Sequence, residues 1–439
     1  MRVPGPAQAS PVPGAPLAPL AALQPLMDAC VHCGFCLATC PSYAEVGQEM
    51  DSPRGRIYLM KAAVQNRVAL TAATVAHFDT CLGCLACKTA CPSGVQYGPL
   101  IEQTRAVIEQ HAPRTTADRL FRRLLFVFLP YPSRLRLLAP FMGLATFLKR
   151  RPGWLAMLPP RVRALTALAP ESTPVPDIVE RTPSTGPTRQ RIGLVTGCVQ
   201  RVFFGAVNAA TVRVLSAEGC EVIAPASQGC CGALALHAGE RDQARAFARQ
   251  LIATFEPLAV ETIAINAAGC GSTLKEYGEL LHDDPAWVAR AAAFAAKVRD
   301  VTEILAAAPP LAKRHPLSPA LRVAYHDACH LAHGQGVRQQ PRDLLAAIPG
   351  VTLVAVAEPE MCCGSAGVFN LLQPAMAGSL GRRKAGHLSE SGADIIVTSN
   401  PGCLLQIQSA QTPEQRRPVV HIMEVLDASI RGEELGGRS

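Results

Sequence analysis

The chain has 439 residues, 49% of them hydrophobic and 17% charged, with a formal net charge of +8. That length holds two to four domains with cores of their own, and no apolar run approaches the roughly 20 residues needed to cross a bilayer. Seventeen cysteines in a chain this long exclude a small disulfide scaffold and point to a reducing, cytoplasmic setting that keeps thiolates available for metal.

Residues 1–24 carry repeated prolines and one arginine but no uninterrupted apolar run, so they read as a disordered leader and not as a signal peptide. A mostly helical ferredoxin-like domain is expected over residues 25–110. It contains CVHCGFCLATCP, with Cys30, Cys33, Cys36 and Cys40, and CLGCLACKTACP, with Cys81, Cys84, Cys87 and Cys91. Each is a C-x2-C-x2-C-x3-C-P run, the pattern of bacterial-type [4Fe–4S] ferredoxins, in which the fourth cysteine serves the other cluster. The spacing assigns Cys30, Cys33, Cys36 and Cys91 to one [4Fe–4S] cluster, and Cys81, Cys84, Cys87 and Cys40 to a second. Three thiolates two residues apart wrap a loop around one face of a cubane, and the proline ends the local hydrogen bonding. Zinc ribbons and disulfides are the bland alternatives; two copies of the one spacing leave them little room.

Between the two runs, helices are expected over residues 56–68 and 74–80. The stretch DSPRGRI (51–57) reads as a helix start, with Asp51 or Ser52 as cap and Pro53 in the first turn. Its arginines are also placed to raise a cluster's potential. A basic helical connector and then, over residues 159–190, a Pro-rich linker follow, together spanning 111–190. From Arg105 to Arg163 there are twelve basic residues against Glu109 and Asp118, so the basicity of the chain is local. Such an interleaved basic and apolar stretch suits an anionic membrane surface or a partner groove, or else a helix packed on its neighbour. No nucleic-acid-binding module accompanies the charge.

The remainder is an internal repeat of two α/β units, 191–315 and 316–439. RIGLVTGC (191–198) and LRVAYHDAC (321–329) read as buried strands running into a cysteine. QGCCGALA and EMCCGSAG, then TIAINAAGC and DIIVTSNPGC, complete each unit. Equivalent cysteines are offset by 131 to 133 residues. Each therefore stands at the C-terminal edge of a strand, where open α/β sheets place their sites. The first unit offers Cys198, Cys230, Cys231 and Cys270, and the second Cys329, Cys362, Cys363 and Cys403. These are candidate ligands for a further cluster or for zinc; thiol chemistry without metal and plain burial are the alternatives. Cys220 stands outside the repeat as a small hydrophobe. In the second unit His326, His330 and His333 flank the first cysteine. One of them, with Asp327, suits proton uptake or hydrogen bonding around a cluster; a satisfied polar group is the plainer reading. With no G-x-G-x-x-G fingerprint and no P-loop, the chain reads as the wire and not the dehydrogenase.

From about residue 25 onward, the chain resembles the iron–sulfur subunits of glycolate oxidase (glycolate dehydrogenase). CVHCGFCLATCPSY, DSPRGRI, CLGCLACKTACPSG, GCCGA, YHDACHL, CCGSAG and SNPGC carry the likeness. The resemblance implies an α+β multidomain fold, in which a helical two-[4Fe–4S] ferredoxin domain precedes a pair of CCG domains. It also implies a flavin-binding catalytic subunit and a second flavoprotein-like subunit as partners, glycolate as substrate, and a quinone or membrane acceptor. The chain itself is not expected to oxidise substrate alone. Its expected location is cytoplasmic, with peripheral attachment at the inner face of the membrane. Similar architectures occur in glycerol-3-phosphate and lactate dehydrogenase subunits, and CCG domains recur in heterodisulfide reductase. The family's C-x-x-C pair is incomplete here, because Ala267 and Asn400 take its first position. That departure weighs against a disulfide-reducing enzyme with a five-cysteine cluster.

Overall fold

The computed structural model describes residues 18–112, 114–138, 140–149, 151–170 and 178–435. The chain divides into two units, one running to Arg122 and including Leu236–Arg241, the other formed by Arg123–Ala235 and the residues from Asp242 onward.

The first unit is helical. Most of the leader, residues 1–17, lies outside the described residues. The expectation of disorder through residue 24 fails for the rest, since Ala18–Ala21 is helical and Leu20 is buried in the core. Three longer helices follow, Pro53–Val64, Ala72–Asp79 and Tyr97–His111. The first starts where capping chemistry dictates: Ser52 Oγ accepts from the Gly55 amide at 3.0 Å, and Pro53 occupies the first turn. The last buries Tyr97, Leu100, Ile101, Thr104, Val107 and Ile108, a stripe at helical spacing. These side chains close on Met27, Ile57, Met60 and Phe78 in one core that also takes in Cys81 and Cys87.

The second unit holds two sheets. The first comprises β1 (Arg181–Thr182), β2 (Gln190–Val195), β3 (Cys220–Ile223), β4 (Thr262–Ile265) and β5 (Val298–Asp300), in the order β1-β3-β2-β4-β5. The second comprises β6 (Leu321–His326), β7 (Val351–Val354), β8 (Ile395–Thr398) and β9 (Val419–His421), in the order β7-β6-β8-β9. Apart from the antiparallel edge strand β1, every pairing is parallel. Parallel pairs need crossover helices, supplied by Gly205–Ala217 and Arg241–Phe255 in the first half and by Gln339–Ala346 and Pro374–Glu390 in the second. In both halves the second strand lies outside the first and the third inside it. The chain thus reverses direction between first and third strands, opening a crevice at their C-terminal ends. Of the stretch read as linker, Pro160–Leu168 is helical, β1 joins a sheet, and residues 171–177 lie outside the described residues.

One core runs through both halves. Helices Gly205–Ala217 and Ile422–Arg431 pack together, with Asp427 accepting from Arg213 at 2.5 to 3.2 Å. The strand-end loops meet as well: the Ala268 amide donates to the Ser399 carbonyl at 3.3 Å, and Gln335 donates to the Ala268 carbonyl at 3.0 Å.

Candidate functional site

In the first unit the two cysteine runs form matching loops 51 residues apart. Two residues past the first cysteine the backbone is left-handed at His32 and Gly83, and four residues past it at Gly34 and Leu85. Each loop thus spends one glycine on two left-handed positions, at opposite places, and the residue without that freedom bears a cost of about 1–2 kcal/mol. An arginine pins each loop by a carbonyl, Arg54 at His32 (2.9 Å) and Arg105 at Cys81.

All eight cysteines are free thiols. Cys40, Cys81, Cys84 and Cys87 are buried, whereas Cys30, Cys36 and Cys91 are half-buried and Cys33 is exposed. Burial drives the Cys87 thiol well above its ordinary range, and the neighbouring sulfurs of Cys84, Cys81, Cys40 and Cys36 add to the effect. Cys40 and Cys36, both from the first run, therefore lie within reach of the second run's sulfurs. Cys81 behaves oppositely: burial opposes its thiolate, yet the charges of Arg56 and Arg105, with the Gly83 amide at 3.4 Å, lower it on balance. Arg56 has no exposed surface. It donates to the His77 carbonyl at 2.6 Å, to Ser42 Oγ at 2.9 Å and to Thr80 Oγ1 at 3.0 Å, and lies 3.6 Å from Asp51. Eight free thiols, one group walled by cationic side chains and amide donors, suit anionic iron–sulfur clusters.

In the second unit each half gathers its four cysteines at the strand-end crevice. Cys198 follows β2, Cys230 and Cys231 follow β3, and Cys270 lies in helix Ala268–Lys275 after β4. Sγ of Cys230 is 3.3 Å from that of Cys198, and Tyr277 donates to the Cys231 carbonyl at 2.7 Å. The sulfur of Cys198 holds the Cys230 thiol protonated, and that of Cys231 does the same for Cys270. In the second half Cys329 and Cys362 are 4.0 Å apart, and His326, Cys363 and Cys403 bring their donor atoms within 4.8 Å of one another. The glycine after each cysteine pair is left-handed, and a Cβ there would stand 3.1 Å from Ala244 at Gly232 and 2.7 Å from Ala377 at Gly364. The chain can approach a helix this closely only as glycine.

Of the histidines singled out in the sequence, His333 lies between Arg338 (3.1 Å) and Glu360 (3.6 Å). Asp327 is held bidentately by Arg342 at 2.6 and 2.7 Å. His330 is buried on the five-residue π-helix His330–Gly334 that packs against Ala268–Lys275. His326 faces the cysteines, and burial, with the Lys384 charge second, keeps its ring neutral. Asn400 donates to Sγ of Cys403 at 3.3 Å, so a hydrogen bond stands where a C-x-x-C pair would place a thiolate. Sequence reasoning missed Lys384, 1% exposed within the apolar stripe of Pro374–Glu390. The repeat carried the signal: seven residues past Ala377 stands Lys384, and seven past the equivalent Ala244 stands Leu251.

These two cysteine architectures define an iron–sulfur protein that joins a dicluster ferredoxin unit to a tandem of cysteine-rich α/β domains. Residues 26–95 match the 4Fe-4S dicluster domain, and residues 192–275 and 323–408 match the Cysteine-rich domain, CCG. The probable glycolate oxidase iron-sulfur subunit of Bacillus subtilis is 38% identical over 86% of this chain and 88% of its own length. The glycolate oxidase iron-sulfur subunit of Escherichia coli is 35% identical over 93% of this chain and 95% of its own. The chain belongs to this family of glycolate oxidase iron–sulfur subunits. Lactate utilization protein A of an Exiguobacterium species is 31% identical over 55% of this chain and 98% of its own length. The fold expected from the sequence, a helical ferredoxin region followed by two CCG α/β domains, is the fold observed.

Proposed function

We propose that this chain is the electron relay of a flavin-dependent glycolate dehydrogenase. In this reading Cys30, Cys33, Cys36 and Cys91 hold one [4Fe–4S] cluster, and Cys81, Cys84, Cys87 and Cys40 hold the other. The clusters supply one-electron storage when bound. One observation supports the crosswise assignment: the two proposed sets differ in burial, with four buried cysteines in one and four that reach solvent in the other. The protein's own residues do the rest. Arg56 and Arg105 set positive charge against the sealed sulfurs, and Arg54 and Arg105 fix the loops. At the open set Val31 and Phe35 are exposed apolar side chains beside Cys33. They suit brief contact with a redox partner, here the flavin-binding catalytic subunit or the second flavoprotein-like subunit. Family membership supports glycolate, oxidised to glyoxylate on the catalytic subunit, as the electron source and a quinone or similar acceptor as the sink. Among the described residues no helix is long and apolar enough to cross a membrane. Peripheral placement at the inner membrane face is the reading the connector supports.

The test is iron and acid-labile sulfide per chain on anaerobically purified protein, with EPR after reduction. About eight irons are expected in the ferredoxin unit, four for each of two clusters. Cys33→Ser and Cys91→Ser should remove one and the same EPR signal, and Cys84→Ser and Cys40→Ser the other. Loss of the Cys33 signal in Cys40→Ser instead would overturn the assignment.

A further inference from the structure

We propose that the second CCG half binds a zinc(II) ion through His326, Cys363 and Cys403. This goes beyond the relay reading and stands apart from it, because the ion has no redox role.

The three donors come from different elements. His326 ends β6, Cys363 follows β7, and Cys403 lies in helix Pro401–Ala410 after β8. Their donor atoms all fall within 4.8 Å of one another, and the residues are 1%, 1% and 3% exposed. In a tetrahedral zinc site, with Zn–S about 2.3 Å and Zn–N about 2.0 Å, donors stand about 3.5–3.8 Å apart. The observed cluster closes on that geometry with a small contraction. A mixed imidazole and thiolate set this tight suits one zinc ion.

A second observation is independent of the cysteines. Both ring nitrogens of His326 are sealed from solvent, and neither has a hydrogen-bond partner. A buried imidazole in that state costs free energy unless a ligand engages it, and a metal ion beside two sulfurs meets that need. Hydrogen-bond donors and a positive charge already face these sulfurs. Asn400 donates to Cys403 at 3.3 Å, the Ser365 amide bonds the Cys363 sulfur, and the Lys384 ammonium lies near Cys362 and Cys363.

The repeat supplies an internal control. At the positions equivalent to His326 and Lys384, the first half has Val195 and Leu251, both fully buried. The cysteines are duplicated, but the imidazole and the ammonium are not. On binding, Cys363 and Cys403 each release a thiol proton to solvent, and two thiolates with a neutral imidazole leave the zinc site uncharged.

The experiment uses the full-length chain, purified anaerobically with zinc supplied. Metal content is measured by mass spectrometry, and the wild-type zinc environment by X-ray absorption at the zinc edge. About one zinc per chain is expected, with both sulfur and nitrogen in its shell. His326→Ala and Cys403→Ser should lower zinc occupancy by roughly tenfold or more at limiting zinc, since even the outer partners of a ligand command that scale. Iron should stay unchanged. His326→Cys should retain zinc, and so should Cys270→Ser in the first half. A wild-type chain with normal iron and no zinc would overturn the proposal. An all-sulfur zinc shell, or equal zinc loss in Cys270→Ser, would overturn it too. The absorption measurement needs no variant, so a poorly folding His326→Ala does not leave the question open.

Discussion

Arg56 is a positive charge with no path to water, lying beside Cys40 and Cys81 and 3.6 Å from Asp51. Burial works against its charge, yet the Cys81, Tyr97, Cys40 and Asp51 groups around it hold the guanidinium firmly protonated. The sequence allowed two readings of DSPRGRI, a helix start or arginines beside a cluster, and both are realised by different residues. Ser52 and Pro53 begin the helix, Arg54 ties Glu49 at 2.6 Å to the first loop, and Arg56 lies within the sealed set. Letters alone could not separate these roles, because burial of an arginine depends on what packs over it. A positive charge favours the more negative, reduced state of a centre beside it. Arg56→Met should therefore lower the midpoint potential of one cluster by about 50–100 mV. That is the scale of a unit charge some ångströms away at an effective dielectric near 20, with 59 mV per tenfold for one electron. Arg56→Lys should keep most of the potential. EPR-monitored redox titration reads both, and equal potentials in Met and wild-type protein would mean that Asp51 cancels the charge.

At the scale of elements, the strands and their terminal cysteines were legible because buried parallel strands appear as short apolar runs, here closed twice by the same cysteine pattern. The two-residue strand β1 was not legible, since so short a segment in proline-rich sequence has no periodicity to read. Each half ends alike, in a strand whose last residue caps the next helix. Asp300 caps Val301–Ala306 with Glu303 answering, and His421 caps Ile422–Arg431 with Glu424 answering. Asp300 is fully buried, and its Oδ2 has no hydrogen-bond partner. Burial lifts its carboxyl from 3.8 to about 6, although two bonds from Thr302 pull the other way. Between those values the folded chain keeps a proton that the unfolded chain has lost, so stability falls as pH rises through that window and stays lower above it. Asn caps as well as Asp and carries no charge. Asp300→Asn should raise the melting temperature at pH 7.5, by up to about 3 kcal/mol of stability, and flatten the fall between about pH 4 and 6. Thermal melts across that range decide it; parallel curves for the two proteins would mean that water reaches the carboxylate.

For the molecule as a whole, the charge count was legible but its disposition was not. Arg114 and Arg122 are consumed by Asp79, Glu109 and Asp118, a packed ion cluster within the first unit. Beyond them, helices Pro132–Arg136, Pro140–Lys149 and Pro152–Met157 run through a stretch with no acidic residue as far as Arg163. Leu137, Phe141, Leu144, Trp154 and Met157 are exposed there, each by more than half its surface. Apolar side chains among basic residues match an anionic lipid surface. The full chain should co-sediment with phosphatidylglycerol vesicles, release as salt shortens the Debye length, and bind several-fold more weakly as Phe141→Glu/Trp154→Glu. Equal binding to neutral vesicles, or none to either, would assign this face to a protein partner.

The unequal exposure of the two sets of cysteines has a consequence for the protein's lifetime. Oxidants arriving from solvent reach Cys33 first, and the tyrosine, arginine and helix packing around Cys81 and Cys87 shields the other set. Damage in air would then be sequential, as susceptibility follows access. A brief leak of oxygen would cut the contact to the outside while sparing the interior centre, leaving a chain that still holds charge and can no longer pass it on.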